Sequence, residues 1–294
     1  MLTPPLVNGR ECCRVCGRPL RFVKVIRGEE TGVATPLFAC RSCQAFYSRL
    51  DHHNQTQGDI HTGSIDGYLL NEAYVRRRVR DVLEYAFSRQ WVSGKRNRLL
   101  DIGCGVGWSL AVAKEMRLQA TGVEPMTEAA TYGTATLKLD VINALFTPDL
   151  FPPASFDFII MDQVLEHVPN PFAMLRDTFG LLKPNGVMLL AVPPIDWSRR
   201  LASASFQLPI AAVEAISRRR SLGRVADLVK RHDTFQFPEG HISYFSTKAI
   251  AVLAANCHAR VLEQYHAQRL RARCWPLLRL STGSFFIRKD EGDR

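Results

Sequence analysis

The stretch LLDIGCGVGWSL, residues 99–110, constrains this chain more than any other part of it. An apolar run closes on Asp101, glycines follow at Gly103, Gly105 and Gly107, and SLAVAKEM continues as the start of a helix. A strand, a glycine turn and a helix in that order bring main-chain N–H groups and a helix N-terminus up to a ligand. Dinucleotide folds with this layout use G-x-G-x-x-G, whose last glycine allows close helix packing. Here that place is Trp108. The bulky indole disfavours NAD and FAD.

The flanking sequence continues the alternation of helix and strand. NEAYVRRRVRDVLEYAFSRQW carries Val75, Val79, Val82, Leu83, Ala86 and Phe87 at three-to-four spacing, which predicts an amphipathic helix. QATGVE predicts a second strand ending at Glu124, 21 residues after Gly103, where a carboxylate can accept hydrogen bonds from both hydroxyls of a ribose. Residues 156–161 are a hydrophobic strand that ends at Asp162-Gln163. A helix is expected over 171–182, a turn at Lys183-Pro184-Asn185-Gly186, a strand over 187–192, and a last strand in STGSFFIRK.

Three segments carry a family resemblance. G-x-G-x-G at 103, 105 and 107, preceded by Asp101, resembles motif I of the class I S-adenosylmethionine (SAM) methyltransferases. Leu165-Glu166-His167-Val168-Pro169 resembles the subgroup that contains ubiquinone-biosynthesis O-methyltransferases and many sugar and natural-product methyltransferases. GHISYFSTKAIAVLAANCHARVLE, residues 240–263, looks like the H-x-S-x-F-S stretch before a late helix and strand of that subgroup. The resemblance covers roughly residues 68–290. It implies an α/β fold: a Rossmann-like doubly wound sheet, mostly parallel, with a late antiparallel strand. It implies SAM as cofactor, held by Asp101, Gly103, Gly105, Gly107 and Glu124, with Asp162 and Gln163 beside the methionine portion.

Methyl transfer from a sulfonium is an in-line displacement, so the protein must align the acceptor and exclude water. A hydroxyl or carbon-acid acceptor also needs a base. His167 is the leading catalytic candidate because it lies just past the carboxyl end of a strand, where open α/β sheets bind ligands. His241 precedes a segment able to fold over the same cleft. Other roles remain open: Glu166 and His167 as braces for the Pro-rich turn and the SAM loop, His241 as an orienting group for a lid, and Glu166 with His167 as ligands of a divalent ion.

Eight cysteines include two C-x-x-C pairs, Cys13/Cys16 and Cys40/Cys43, separated by 23 residues. That spacing is close to structural zinc sites, in which each pair reaches one ion from a tight turn. Gly17 suits the first turn, and Arg14, Arg18 and Arg41 offset part of the thiolate charge. The expectation is a zinc ribbon over about 10–48 with two short strands between the pairs, its metal structural because four thiolates leave no open position. Cys12 competes with Cys13 as ligand, and redox use of the pairs is the alternative.

The expected organisation is therefore a zinc-ribbon-like domain at 1–50, a polar linker at 51–67 and a methyltransferase domain at 68–294. The linker holds His52, His53 and His61, read as loop histidines. A helical insertion is expected at about 196–239. Apolar positions Ile210, Val213, Ile216, Leu222, Val225, Leu228 and Val229 predict two short amphipathic helices there with basic ends. The formal charge of +10 points to an anionic partner, and much of it sits in the run Arg76, Arg77, Arg78, Arg80 and in this insertion. The insertion would shape an acceptor pocket suited to phosphate, and its basic helices would allow peripheral membrane contact. No signal peptide or long apolar span is read, so the cytoplasm is the expected location.

The first functional reading is methyl transfer to O or C of a small molecule such as a sugar, glycolipid or natural-product intermediate. RNA is the competing acceptor, because a zinc ribbon ahead of this fold resembles ribosomal-RNA guanine methyltransferases and the isoelectric point is near 9.4. Against it, Asp162-Gln163 stands where an Asn/Asp-Pro-Pro-Tyr amine clamp would be. A non-catalytic scaffold that docks a partner protein is the third reading. The sequence gives no oligomeric state.

Overall fold

A computed structural model describes residues 6–7, 10–27, 34–48, 65–92, 97–193, 241–265 and 283–290. The expected insertion at 196–239 and residues 51–64 of the expected linker, with its three histidines, lie outside the described residues. The N-terminal part contains β1 (Leu6–Val7), β2 (Arg10–Glu11), β3 (Arg21–Arg27), β4 (Ala34–Ala39) and β5 (Phe46–Ser48). Then come α1 (Asp66–Leu70), α2 (Glu72–Ser88), β6 (Arg98–Ile102), α3 (Trp108–Glu115), β7 (Gln119–Val123), α4 (Thr127–Thr131) and β8 (Asp140–Ile142). The second half runs β9 (Phe156–Asp162), α5 (Pro171–Leu181), β10 (Leu182–Val192), β11 (Ser243–Tyr244), α6 (Thr247–Asn256), β12 (Ala259–Tyr265) and β13 (Gly283–Lys289).

Seven strands form the main sheet in the order β12-β13-β10-β9-β6-β7-β8. Pairings β10–β9, β9–β6, β6–β7 and β7–β8 are parallel, whereas β13 runs antiparallel to both β10 and β12. Parallel strands covered on both faces read as nearly continuous apolar runs, and the packing shows why. Leu99, Phe158, Ile160, Val187 and Leu189 point to one face, where Val79, Val82, Leu83 and Ala86 of α2 meet them. Leu100, Ile102, Ile159, Met161, Met188 and Leu190 point to the other, against Leu175 and Phe179 of α5 and Ala249, Ile250 and Leu253 of α6.

Strand order fixes where a ligand can sit. The chain builds outward from β6 to β7 and β8, then returns to lay β9 on the opposite side of β6. The connections after β6 and β9 therefore diverge at their carboxyl ends and open a crevice, the ligand position of doubly wound sheets. The expected turn at 183–186 is absorbed into β10 as an irregularity: the register to β9 shifts between Leu182 and Val187, and Asn185 adopts φ 65°. Helix α1 begins within the last residues of the expected linker.

The cysteine-bearing segment packs against the rest of the chain. Cys13, Val15, Cys40, Cys43, Ala45 and Tyr47 share one apolar cluster with the α5/α6 face of the main sheet. A four-stranded sheet in the order β11-β5-β4-β3 pairs β5 with β11, nearly two hundred residues later in the chain.

Phe286 on β13 is fully buried among Tyr85, Trp91, Phe158 and Tyr265, with ring centroids 4.7–6.3 Å away. It ties α2 to the sheet. Replacing it with alanine leaves a large cavity, and denaturant titration is expected to give a loss of about 3–5 kcal/mol; a loss below about 1 kcal/mol contradicts this packing.

Candidate active site

The glycine loop is held by its own main chain. Gly103, Gly105 and Gly107 have φ of 75°, 55° and 91°, the left-handed region that costs side-chain-bearing residues strain. A Cβ at Gly103 would stand 2.5 Å from Val164 Cγ2, and one at Gly105 2.7 Å from Tyr68 Cε1. The N–H groups are already committed: Gly103 and Cys104 donate to Val123 O, Gly105 to Glu124 Oε2 and Gly107 to Cys104 O. A pyrophosphate would need such donors aimed outward. This loop suits a ligand that approaches closely without phosphate, as SAM does.

Glu124 is 1% exposed, directly after β7. Its Oε2 accepts from Gly105 N and its Oε1 from Met126 N, both at 2.8 Å. Each carboxylate oxygen keeps further acceptor capacity for a ribose hydroxyl. Asp101 faces inward and accepts from Ser109 Oγ on α3. Burial pushes its carboxyl up to about 7, against the Ser109 hydrogen bond, with Asp162 and Glu124 adding to the rise.

Two residues missed by sequence reasoning complete this side. Arg78 of α2 forms a two-pronged pair with Asp162 at the end of β9, at 2.7 and 2.9 Å. It falls in a run that reads as a basic helix face, yet it shares the three-to-four spacing of Val75, Val79 and Val82, which marks the inward stripe. Its neighbours Arg76 and Arg80 instead both pair with Glu115. Tyr68 of α1 lies over Gly105. Its hydroxyl is pushed up to about 12 by burial and then by the charges of Glu124 and Cys104, and Trp108 Nε1 donates to its carbonyl at 3.0 Å.

Across the crevice, Gln163 has φ 57°, its N–H donates to Ala191 O at 2.8 Å, and its side-chain Nε2 is buried without a partner. Leu165–His167 form a short 3₁₀ turn with Glu166 fully buried. The His167 and His241 rings meet edge to face with centroids 4.6 Å apart. Ligand atoms of Glu166, His167 and His241 lie within 4.8 Å of one another, a set able to hold a divalent ion. Glu166 Oε1 and Oε2, His241 Nδ1 and Ser243 Oγ are all buried without hydrogen-bond partners, an arrangement suited to a polar ligand.

These groups sit in unusual protonation states. Burial pushes Glu166 up to about 8, reinforced by the charge of Asp162. Burial, then the neighbouring His167, pushes His241 down to about 4. Near neutrality the two face each other as a neutral acid and a neutral imidazole.

The four expected metal-ligand cysteines are gathered, with Cys13 rather than Cys12 in the set. Cys13 Sγ is 3.4 Å from Cys43 Sγ, and Cys16 Sγ 3.4 Å from Cys40 Sγ. Disulfides require sulfurs about 2 Å apart; thiolates around one tetrahedral zinc stand roughly 3.8 Å apart. The residues fit the ion. The two knuckles repeat one geometry: Gly17 N donates to Cys13 O and Gln44 N to Cys40 O, and both residues adopt left-handed φ, 69° and 62°. Hydrogen bonding to Cys43, ahead of Tyr47, lowers the Cys13 thiol to about 5 against burial, favouring the thiolate.

Comparison with known proteins agrees with this fold. A family model described as "Methyltransferase domain" matches residues 72–264. Ubiquinone biosynthesis O-methyltransferases are among the relatives. The protein of Rhodopseudomonas palustris (strain TIE-1) is 29% identical over 127 residues, covering 41% of this chain and 47% of that protein. The one from Xanthomonas campestris pv. campestris (strain B100) is 28% identical over 142 residues, covering 46% and 56%. The chain thus spans about half the length of these curated relatives. A solved complex between the Haloferax volcanii Trm112 methyltransferase activator and the putative methyltransferase includes a chain similar in fold, with TM-score 0.50 and 14% identity over 78% of this chain and 98% of that one. The chain belongs to the class I SAM-dependent methyltransferase family.

Because Glu166 holds its proton to about pH 8 when folded and to about 4.5 otherwise, its contribution is most favourable below pH 4.5 and is lost as pH rises towards 8. At pH 7 the cost is roughly 3 kcal/mol. Denaturant titrations of the zinc-loaded protein are therefore expected to show Glu166→Gln gaining stability relative to the unsubstituted protein from pH 5 to 8. Parallel pH profiles would sink this assignment.

Proposed function

We propose that this protein transfers the methyl group of SAM to an oxygen or carbon of a small-molecule acceptor, and that Cys13, Cys16, Cys40 and Cys43 hold a structural zinc ion. The observation that carries the reading is the approach of His167 to His241, beside buried Glu166, at the carboxyl end of β9 and across the crevice from the glycine loop. SAM supplies a methyl group on a sulfonium, whose departure needs no acid. Gly103, Gly105, Gly107 and Glu124 bind the adenosine portion, Arg78 fixes Asp162, and Asp162 with Gln163 borders the methionine portion.

On the acceptor side His241 remains neutral through physiological pH. It can take or relay the proton that an attacking hydroxyl or carbon acid must lose, with His167 in contact and the Glu166 carboxyl alongside. Similarity to ubiquinone biosynthesis O-methyltransferases supports a small hydroxyl-bearing acceptor. A phosphate on the acceptor, or contact with a membrane surface, rests on the arginines of residues 196–239 alone. Among the described residues no helix is long and apolar enough to cross a membrane.

The test is methyl-labelled SAM offered with phenolic, catecholic and sugar acceptors, alongside calorimetric titration with S-adenosylhomocysteine. Glu124→Ala is expected to weaken S-adenosylhomocysteine binding about tenfold or more. His167→Asn and His241→Asn are expected to bind it within about threefold of the unsubstituted protein while transfer falls about 100-fold or more. Unchanged transfer in both histidine variants overturns the base assignment, and absence of S-adenosylhomocysteine binding by the unsubstituted protein overturns the cofactor.

A further inference from the structure

The cysteine-bearing module touches the rest of the chain at particular places. Arg14, inside the first knuckle, donates to the carbonyl of Pro169, two residues after His167, at 3.0 Å. Asn256 at the end of α6 donates to Val15 O at 2.8 Å. Ser246, which also caps α6, donates to Cys43 O at 2.9 Å. Ser48 makes two bonds in succession: its Oγ donates to His241 O at 2.7 Å and its N–H to Ile242 O at 3.2 Å.

These bonds converge on the acceptor side. His241 is held on its carbonyl by Ser48 Oγ and by Tyr244 Oη, and the following residue is clamped between Ser48, through Ile242 O, and Glu166, through Ile242 N donating at 2.9 Å. Ser48 ends β5, and β5 is tied to the metal-ligand set through Tyr47, whose Oη lies 3.2 Å from Cys13 Sγ. Tyr47 is also buried in the shared core and carries Arg14 on its ring face, 5.7 Å from the centroid. The cofactor side receives none of these five bonds from the module: Gly103–Gly107, Glu124 and Arg78 are positioned by β6, β7 and α2.

We propose that the four-cysteine module is a splint for the acceptor side: metal at Cys13, Cys16, Cys40 and Cys43 rigidifies β5, and Ser48 is the positioning residue through which β5 fixes the main chain at His241. The inference rests on the zinc and histidine assignments above. It gives the metal a task beyond stabilising a small N-terminal piece. Loss of the metal, or of the Ser48 hydroxyl, leaves the His241 carbonyl with Tyr244 Oη and loosens the placing of His241 beside Glu166 and His167, while the bonds of the glycine loop remain. A misplacement of about 1 Å at a reacting group can cost up to a hundredfold in rate, so loss of a hydroxyl that sets one contact reads as about tenfold.

The test uses the full zinc-loaded chain labelled with ¹³C at histidine Cε1, the His241 signal assigned by its disappearance in His241→Asn. Ser48→Ala is expected to shift or broaden that signal, Ser48→Thr to restore it, and S-adenosylhomocysteine affinity to stay within about twofold in both. Transfer should fall about tenfold in Ser48→Ala and recover in Ser48→Thr. Stripping zinc with a chelator should broaden the His241 signal and leave S-adenosylhomocysteine affinity unchanged. The proposal is overturned by an unmoved His241 signal in Ser48→Ala, or by cofactor affinity falling in step with the His241 change when zinc is removed. Full transfer activity in His241→Asn, with the signal still responding to Ser48→Ala, would overturn the base assignment and leave the splint standing.

Discussion

Both faces of the seven-stranded sheet are buried, so polar chemistry is pushed to the ends of its strands. Successive side chains of β6, β9 and β10 alternate between the α2 face and the α5/α6 face, and nearly all of them are apolar. At the carboxyl edge the strands stop and carboxylates begin: Asp101 in β6, Glu124 after β7, Asp162 at the end of β9 and Glu166 just beyond. The reversal of strand order beside β6 then gathers these groups at the switch point of the sheet, where Asp162 and Glu124 act on Asp101 and Asp162 on Glu166.

The four carboxylates differ in what the local fold offers them. Glu124 receives two main-chain N–H groups, Asp162 a guanidinium and Asp101 one hydroxyl, whereas Glu166 has no hydrogen bond to either oxygen. Burial favours the protonated form of a carboxyl, and hydrogen bonds to the carboxylate oppose it. Environment thus divides one chemical group into a hydrogen-bonded acceptor beside the glycine loop and an unpartnered acid, raised to about 8, beside two histidines. Groups whose surroundings separate their proton affinities are a common basis for assigning separate roles in catalysis.

Features written in local residue chemistry were legible in the sequence. The glycines at 103, 105 and 107 are required by positive φ and by side chains that crowd them, so their spacing carries the loop conformation. The cysteine knuckles are equally local, each closed within five residues. Arg78 was hidden because an arginine run looks like a solvated face, and only its match to the valine stripe sets it apart. Tyr68 was hidden in a polar approach to the fold. The β5–β11 pairing was illegible for a different reason: two residues of strand, joined to a partner nearly two hundred residues away, leave no periodicity to detect. The bulge in β10 belongs to the same class, since Lys183–Gly186 has turn chemistry and tertiary pairing on both sides draws it into a strand.

The cysteine module resolves a problem of size. A segment of about forty residues has too little apolar surface to hold itself together, and four thiolates around an ion would supply what its core lacks. Here the module also lends Val15, Ala45 and Tyr47 to the α5/α6 face, so its stability and that face are parts of one core. Such sharing has a directional consequence. The hydrogen bonds from the knuckles and β5 meet the methyltransferase part at β11 and at Pro169, beside His241 and His167, and not at β6 or β7. The glycine loop is braced instead by α3, β7 and the Glu124 carboxylate, none of which the knuckles touch through the bonds described. The hydrogen bonds that leave the knuckles therefore end on the acceptor side, and the glycine loop is held by bonds of its own, above a core that both share.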